Sequence, residues 1–287
     1  MTRSAAARAG AGSHVFSIDL EETRLHDGDA ADAPSRAVAM TQRLLDFFAR
    51  RGATATFFVV GELARAQPDL IRRIVDAGHE IGCHSDRHVS LDRQSPDAFR
   101  DDLCRNLDAL HAAGVHAVRG YRAPRFSITE STQWAYPILA ELGFGYSSSV
   151  LPARNPVAGW PDFGSAPRLI SGVLELPITL LPYRALPMPM GGVYFRALPR
   201  PVVLGAFRRR RGQAVLGYVH PYDIDPDQTG AHADFPRWSP YQWVMRAGRG
   251  SVLSRLEAVE RLGFPLISYA AHEAAVRQAL QAAKEPG

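Results

Sequence analysis

The stretch His14-Val15-Phe16-Ser17-Ile18-Asp19-Leu20-Glu21-Glu22 decides how this chain is read. An apolar run from Val15 to Ile18 reads as a short strand, and it ends on carboxylates. Strand alternation puts Asp19 and Glu21 on the same side. Working outward, Ala55 to Val60, Glu80 to Cys83, Val118 to Ala123 and Gly145 to Val150 read as strands too. Helical patterns with stop signals lie between them. Met40, Leu44 and Phe47 space a helix that ends before Gly52. Pro68 to Ala77 carries Leu70, Ile71, Ile74 and Val75 and stops before Gly78. Pro96 to Ala113 carries Phe99, Leu103, Leu107 and Leu110, starts after Ser95 and stops before Gly114. Thr129 to Leu142 also reads as helical, with Ser127 and Glu130 spaced as a capping box and Pro137 expected to kink or split it. Strands separated by helices imply parallel pairing through crossovers, the α/β class.

Between Pro152 and Pro199 the alternation gives way to a Pro- and Gly-rich stretch with one strand, Leu174 to Thr179. A helix at Val202 to Arg210, a strand at Val215 to Val219, a helix at Val252 to Leu262, a strand at Pro265 to Tyr269 and a closing helix follow. With no internal repeat and no linker, residues 14–287 read as a single domain behind a flexible N-terminal tail, residues 1–13.

The composition, 46% hydrophobic and 22% charged over 287 residues, allows a full core without covalent staples. The net charge of +4 is small and the basic residues are scattered, which argues against a nucleic-acid partner. The densest run, Arg208 to Arg211, falls at a predicted helix end, where solvated cations suit the helix dipole better than they argue for an anion site. Cys83 and Cys104 read as unpaired thiols, which fits a reducing compartment. No stretch of about 18 apolar residues and no secretory-type core appears, so no membrane span and a cytoplasmic location are expected.

Ligands bind at the carboxyl ends of parallel strands. Asp19, His84, Arg122 and His220 fall at such ends on four different strands. A carboxylate and two imidazoles there can hold a divalent metal with positions left open, and a second carboxylate can deprotonate its water. Each residue alone has a plainer reading. His84 and His88 could be hydrogen-bonded histidines, Asp19 a turn cap, Arg122 half of an ion pair, and His220 a backbone-satisfied ring. Their joint placement points to hydrolysis.

Three segments carry a resemblance: Phe16-Ser17-Ile18-Asp19-Leu20-Glu21-Glu22, Ala55-Thr56-Phe57-Phe58-Val59, and Gly78-His79-Glu80-Ile81-Gly82-Cys83-His84-Ser85-Asp86-Arg87-His88. Arg119-Gly120-Tyr121-Arg122-Ala123-Pro124 with Phe126 to Thr129, and Val219-His220-Pro221 with Asp223 to Pro226, extend it. In this order they resemble the polysaccharide deacetylases, carbohydrate esterases of the NodB-homology type, and most of all the bacterial branch associated with exopolysaccharide clusters. The resemblance spans roughly Val15 to Asp227. It implies a distorted (β/α) barrel of seven or eight strands and a metal-dependent N-deacetylase. By position, Asp19 matches the general base, His84 and His88 the metal-binding imidazoles, Arg122 the arginine that orients the base, and His220 the general acid. The backbone N–H of Arg125 stands where the oxyanion donor belongs. Leu20 follows Asp19 where the commonest motif has a second aspartate. Branches with the metal carboxylate two residues after the base select Glu21, with Glu22 left as the other candidate. Relatives often have Asp where Ser147 stands, and Asp223 or Asp225 could substitute.

One divalent metal is expected, zinc first, with iron, cobalt or nickel also compatible with a His₂-carboxylate set. Trp160, Tyr183, Met188, Met190, Tyr194 and Phe195 could line a substrate pocket, Trp160 and Tyr194 foremost, although core packing explains such residues equally. The expected substrate is a small, lipid-linked or nucleotide-linked N-acetylated saccharide. The alternative is an amidohydrolase acting on a non-sugar amide or ureide, and a non-enzymatic carbohydrate binder ranks last because base, acid and both histidines are present. The sequence does not address oligomeric state.

Overall fold

The computed structural model describes residues 12–22, 35–154, 159–183, 187–228, 230–233 and 235–283. Most of the expected N-terminal tail lies outside these, and Ser13 already belongs to the first strand. The strands are β1 (Ser13–Leu20), β2 (Thr56–Val59), β3 (Glu80–Cys83), β4 (Gly120–Tyr121), β5 (Tyr146–Ser147), β6 (Arg168–Ile170), β7 (Val173–Glu175), β8 (Ala214–Val219) and β9 (Leu266–Ile267). The helices are α1 (Arg36–Ala49), α2 (Gly61–Ala66), α3 (Pro68–Asp76), α4 (Pro96–Ala112), α5 (Ala135–Glu141), α6 (Gly192–Ala197), α7 (Arg200–Arg209), α8 (Tyr241–Arg246), α9 (Val252–Arg261) and α10 (Tyr269–Ala282).

The described strands form one sheet in the order β6-β7-β5-β4-β3-β2-β1-β8, with β9 also paired to β1. Every pairing is parallel except β6 against β7. β1 is flanked by β2, β8 and β9 and is buried along its whole length, which explains a near-continuous apolar run. Past β7 the chain leaves regular pairing but not hydrogen bonding. Leu176 N–H donates to the Ser147 carbonyl at 2.8 Å, and Thr179 N–H donates to the Leu216 carbonyl of β8 at 3.1 Å. This irregular segment joins the two sides of the curled sheet, giving the distorted α/β barrel expected from the sequence.

Local chemistry sets the helix boundaries. Ser35 and Ser95 cap α1 and α4 by accepting from Val38 N–H at 3.4 Å and Ala98 N–H at 3.2 Å, and Pro96 occupies the first turn of α4. The helix expected over 129–142 is corrected to a 3₁₀ turn at Glu130–Thr132 and a separate α5. Pro137 thereby sits in a first turn, where its missing N–H has no helical acceptor to lose. The cap is a Thr129–Thr132 pair instead of Ser127 and Glu130. The Ser127 hydroxyl accepts from Leu91 N–H at 3.1 Å. β4 and β5 are shorter than expected because the next residues turn toward the strand ends: Ala123 N–H bonds the Ser149 hydroxyl at 2.8 Å and not a strand carbonyl.

The main core joins β1, β2 and β8 to α1, α3 and α9 through Phe16, Phe48, Phe57, Ile71, Val219 and Leu256. A second cluster around Phe99, Tyr121, Tyr136 and Leu139 seats α4 and α5. Among the described residues no helix is long and apolar enough to cross a membrane.

Candidate active site

The carboxyl ends of β1, β3, β4 and β8 bring Asp19, His84, Arg122 and His220 to one end of the barrel. Arg122 follows β4 and is fully buried. Its Nη1 donates to Asp19 Oδ1 at 2.7 Å and to the Ser17 hydroxyl at 2.6 Å. Its Nη2 reaches Tyr269 Oη at 2.8 Å and Ser148 Oγ at 3.0 Å, while Nε reaches the Ser148 carbonyl at 3.0 Å. The guanidinium also lies over the Phe58 ring, 4.3 Å from its centroid. Burial alone would lower its pKa, but the charge of Asp19 and the Tyr269 oxygen more than offset that and hold it above the ordinary value. Asp19 is therefore a buried carboxylate fixed in direction by a permanent cation.

His84 and His88 lie on a tight loop after β3. The His84 Nδ1 stands 2.8 Å from the Arg122 carbonyl, which can only accept. Nδ1 must then carry the proton, and Nε2 presents its lone pair to the site. Burial pushes the pKa of this ring down, keeping it neutral. The two rings meet edge to face with centroids 4.9 Å apart. The loop achieves this with left-handed backbone at Ser85 (φ 65°) and His88 (φ 54°), conformations that carry strain of roughly 1–3 kcal/mol each outside glycine. Sequence reasoning missed what holds it. Asn106 Nδ2 donates to the carbonyls of Ser85 at 2.6 Å and Val59 at 2.9 Å. Asp86, almost fully buried, pairs with Arg65 at 2.7 Å and lies 3.5 Å from Arg105. Gly61 must lack a side chain, because a Cβ there would stand 2.2 Å from Asp86 Oδ1.

His220 sits just beyond β8. Its Nδ1 is 3.0 Å from Asp223 Oδ2, and its backbone N–H donates to the same oxygen at 2.8 Å. Arg196, buried on α6, holds the other oxygen of Asp223 at 2.6 Å and donates to the carbonyls of Val244, Met245 and Ala247. Burial would lower the His220 pKa, but the hydrogen bond and charge of Asp223, with Glu21 and Asp19, raise it to about 8. Arg196 and His220 together outweigh burial at Asp223 and hold its carboxyl well below the usual range. Of the two acids considered as substitutes for the aspartate absent at Ser147, Asp223 is the one against His220. Asp225 is taken by Arg36, and the Ser147 hydroxyl donates to Ser149 Oγ at 2.8 Å.

Glu21 bridges the two histidine elements, 3.1 Å from His88 Nε2 and 3.7 Å from His220 Nε2. Glu22 is exposed and accepts from Ser35. The donor chemistry of Glu21, His84 and His88 suits a divalent cation, the exposed lone pair at His84 Nε2 being the clearest sign. In the present geometry Glu21 closes directly on His88, and no three carboxylate, imidazole or thiol groups among the described residues form a ready metal cluster. Arg125 stands in a turn with two successive left-handed residues, itself (φ 57°) and Phe126 (φ 55°).

A cavity of about 330 Å³ adjoins the site, lined by Glu21, Glu22, His88, Glu62 and Gln67. Neither Trp160 nor Tyr194, the foremost pocket candidates, lines it. Trp160 packs edge-on to Phe163 with centroids 5.0 Å apart, at the margin of the second core cluster. Tyr194 is half-buried on α6 beside Phe195, which with Met190 belongs to the main core. Met188 and Tyr183 pack against that core. Residues 155–158 and 184–186 of the stretch expected to wall the site lie outside the described residues.

Residues 28–146 match the family described as polysaccharide deacetylase, and residues 148–262 match a domain of unknown function (DUF3473). The chain is similar to a peptidoglycan-N-acetylglucosamine deacetylase of Bacillus cereus, 31% identical over 96 residues that cover 33% of this chain and 35% of the relative. It is similar to a chitooligosaccharide deacetylase of Bradyrhizobium sp., 38% identical over 85 residues covering 29% and 39%. The chain thus spans only between a third and two fifths of the length of these relatives. Among solved structures it resembles a candidate polysaccharide deacetylase from Mycobacterium smegmatis, with a TM-score of 0.64 and 21% identity over 94% of this chain and 92% of the other. It also resembles a CE4 family pseudoenzyme from Bacillus anthracis, with a TM-score of 0.54 and 14% identity over 92% and 66%. At these identities the structures speak for the fold alone.

Proposed function

Since this chain belongs to the polysaccharide deacetylase family, we propose that it is a metal-dependent hydrolase that removes an N-acetyl group from an amino sugar and releases acetate. One observation carries the reading. Adjacent strands β1 and β8 end on a carboxylate locked by a permanent cation and on an imidazole whose pKa is raised to about 8. A carboxylate that can accept a proton thus faces the same site as an imidazole that carries one.

Glu21, His84 and His88 would hold the metal, zinc suiting the set best. When bound, the cation would supply a Lewis acid for the amide carbonyl and ease deprotonation of water. Asp19 would take the proton of the attacking water, and Arg122 would keep the carboxylate aimed. The Arg125 N–H would donate to the oxyanion of the tetrahedral intermediate. His220, protonated at neutral pH and steadied by Asp223, would give a proton to the departing amine. The amide C–N bond breaks, and acetate and the free amino sugar leave.

The adjoining cavity lies at the low end of the ~300–1,000 Å³ usual for small-molecule sites. This favours a small, lipid-linked or nucleotide-linked saccharide over a long polymer, and the free cysteines Cys83 and Cys104 favour action in a reducing, cytoplasmic setting. The test is acetate release from N-acetylated monosaccharide conjugates by the metal-loaded chain, beside ureides as competitors. Asp19→Asn should retain metal and lose about 10²- to 10⁴-fold in rate, whereas His88→Ala should lose metal and activity together. Ammonia from ureides without acetate from any sugar would overturn the substrate class, and full activity in Asp19→Asn would overturn the mechanism.

A further inference from the structure

A second and larger cavity, about 640 Å³, opens where the irregular segment after β7 meets the start of β8 and one face of α10. Leu176, Pro177, Leu180 and Val276 give it apolar walls, and Arg210 and His272 add nitrogen donors. Ala214 and Leu216, which also line it, lie at the start of β8, and His220 follows its far end, so the cavity lies away from the acid–base cluster.

The arginine run at Arg208–Arg211 is split by this cavity. Arg208, Arg209 and Arg211 are exposed, as a solvated helix end requires, but Arg210 turns inward. Its Nη2 donates to the Leu180 carbonyl at 2.8 Å and its Nη1 lies 3.4 Å from Gln213 Oε1. Its Nε is buried and finds no partner among the described residues, and no carboxylate there pairs with it. The Nδ1 of His272, on a ring that is 7% exposed, is likewise without a partner among the described residues. A guanidinium drawn against apolar walls with only neutral acceptors is an unmet demand for an anion. Ser165, Thr179, Tyr183 and Gln213 add neutral polar groups to the lining, but the wall of prolines and leucines suits a hydrocarbon chain.

We infer that this cavity binds an amphipathic anion, with a single hydrocarbon chain against the Leu176–Leu180 wall and a phosphate or carboxylate head on Arg210 and the His272 Nδ1. The inference is independent of the deacetylase reading, because it concerns binding at a separate place and is read without any turnover.

Isothermal titration of the full chain with decyl phosphate, decyl maltoside and inorganic phosphate, each below its micelle concentration, tests it. One saturable decyl phosphate site is expected, about tenfold or more tighter than either control. Arg210→Gln should bring decyl phosphate down to the level of decyl maltoside, and Val276→Trp should weaken both amphiphiles by filling the cavity. Arg210→Gln also forfeits the bond to the Leu180 carbonyl, so its melting midpoint is taken alongside. Should it unfold, Val276→Trp decides. Equal affinity for decyl maltoside would remove the anion from the proposal, and equal affinity for inorganic phosphate would remove the chain. Wild-type affinity in either folded variant would overturn the site.

Discussion

His14 and His220 lie at opposite ends of two neighbouring strands, and they are held in opposite charge states. His14 opens β1 among Phe16, Phe195 and Phe207, whose ring centroids stand 5.0, 6.2 and 5.0 Å away. Neither of its ring nitrogens finds a partner among the described residues, and burial drives its pKa down to about 3. At His220 burial pulls the same way, yet the pKa rises to about 8 because Asp223 lies against Nδ1 with Arg196 behind it. Loss of water alone makes a neutral ring. A carboxylate that is itself held by a cation reverses the outcome, and the barrel is accordingly apolar at one end and charged but compensated at the other.

The strongest way to break this contrast is to remove the compensation. Arg122→Met would leave Asp19 buried beside Ser17 with its cation gone. The expected loss is about 3–5 kcal/mol in unfolding free energy, read from denaturant midpoints at pH 7. Adding Asp19→Asn to that variant should recover much of the loss, since the double change removes the stranded charge. A single-variant loss below about 1 kcal/mol would mean that the charged end does not depend on compensation.

Asp223→Asn probes the raised imidazole itself. A group whose folded pKa lies above its unfolded 6.5 contributes stability that is full below pH 6.5 and is lost as pH rises through about 8. With asparagine in place, the opposing effect of burial should take the His220 pKa below 6.5, as followed by NMR titration of the ring. The rate of the proposed deacetylation at pH 7–8 should fall about 10²-fold as the protonated acid disappears, a larger relative loss than at pH 6. An unchanged ring pKa would show that Asp223 is not what sets it.

Much of the charged end was legible in the amino-acid sequence, because its chemistry sits on short strands whose last residues change character abruptly: Ile18 to Asp19, Cys83 to His84, Val219 to His220. The residues that hold these in place were not. Arg196 lies in a stretch without periodic pattern, and three of its partners are backbone carbonyls of residues 244–247, which carry no side-chain signal. Asp86 was quoted within the histidine segment, but its pairing with Arg65 and Arg105 joins two separate helices. The barrel seam was only partly readable: the strand expected over Leu174 to Thr179 ends at Glu175, and Thr179 closes the seam through two bonds to Leu216, its N–H donating to the Leu216 carbonyl and its hydroxyl accepting from Leu216 N–H. Trp160 shows the reverse limit, since a large aromatic in a proline-rich loop reads the same whether it meets substrate or packs on Phe163.

The smallest expected effect sharpens the apolar end. His14→Leu removes two unsatisfied nitrogens from an aromatic box with little change in volume, and it should stabilise the chain at pH 7 by about 1 kcal/mol. Its signature lies in acid. His14 has a folded pKa of about 3 against 6.5 unfolded, so its contribution is full above pH 6.5 and is lost as pH falls toward 3. Removing that proton uptake should flatten the acid branch of stability by about 1.4 kcal/mol per pH unit between pH 6 and 4. His79 and His272, both lowered to about 4 by burial, remain in the variant and keep part of the slope. Urea midpoints at pH 7, 5.5 and 4.5 give the comparison. If wild type and variant lose stability in parallel across that window, His14 is not the buried neutral ring that its aromatic box implies, and the two ends of the barrel differ less than their geometry suggests.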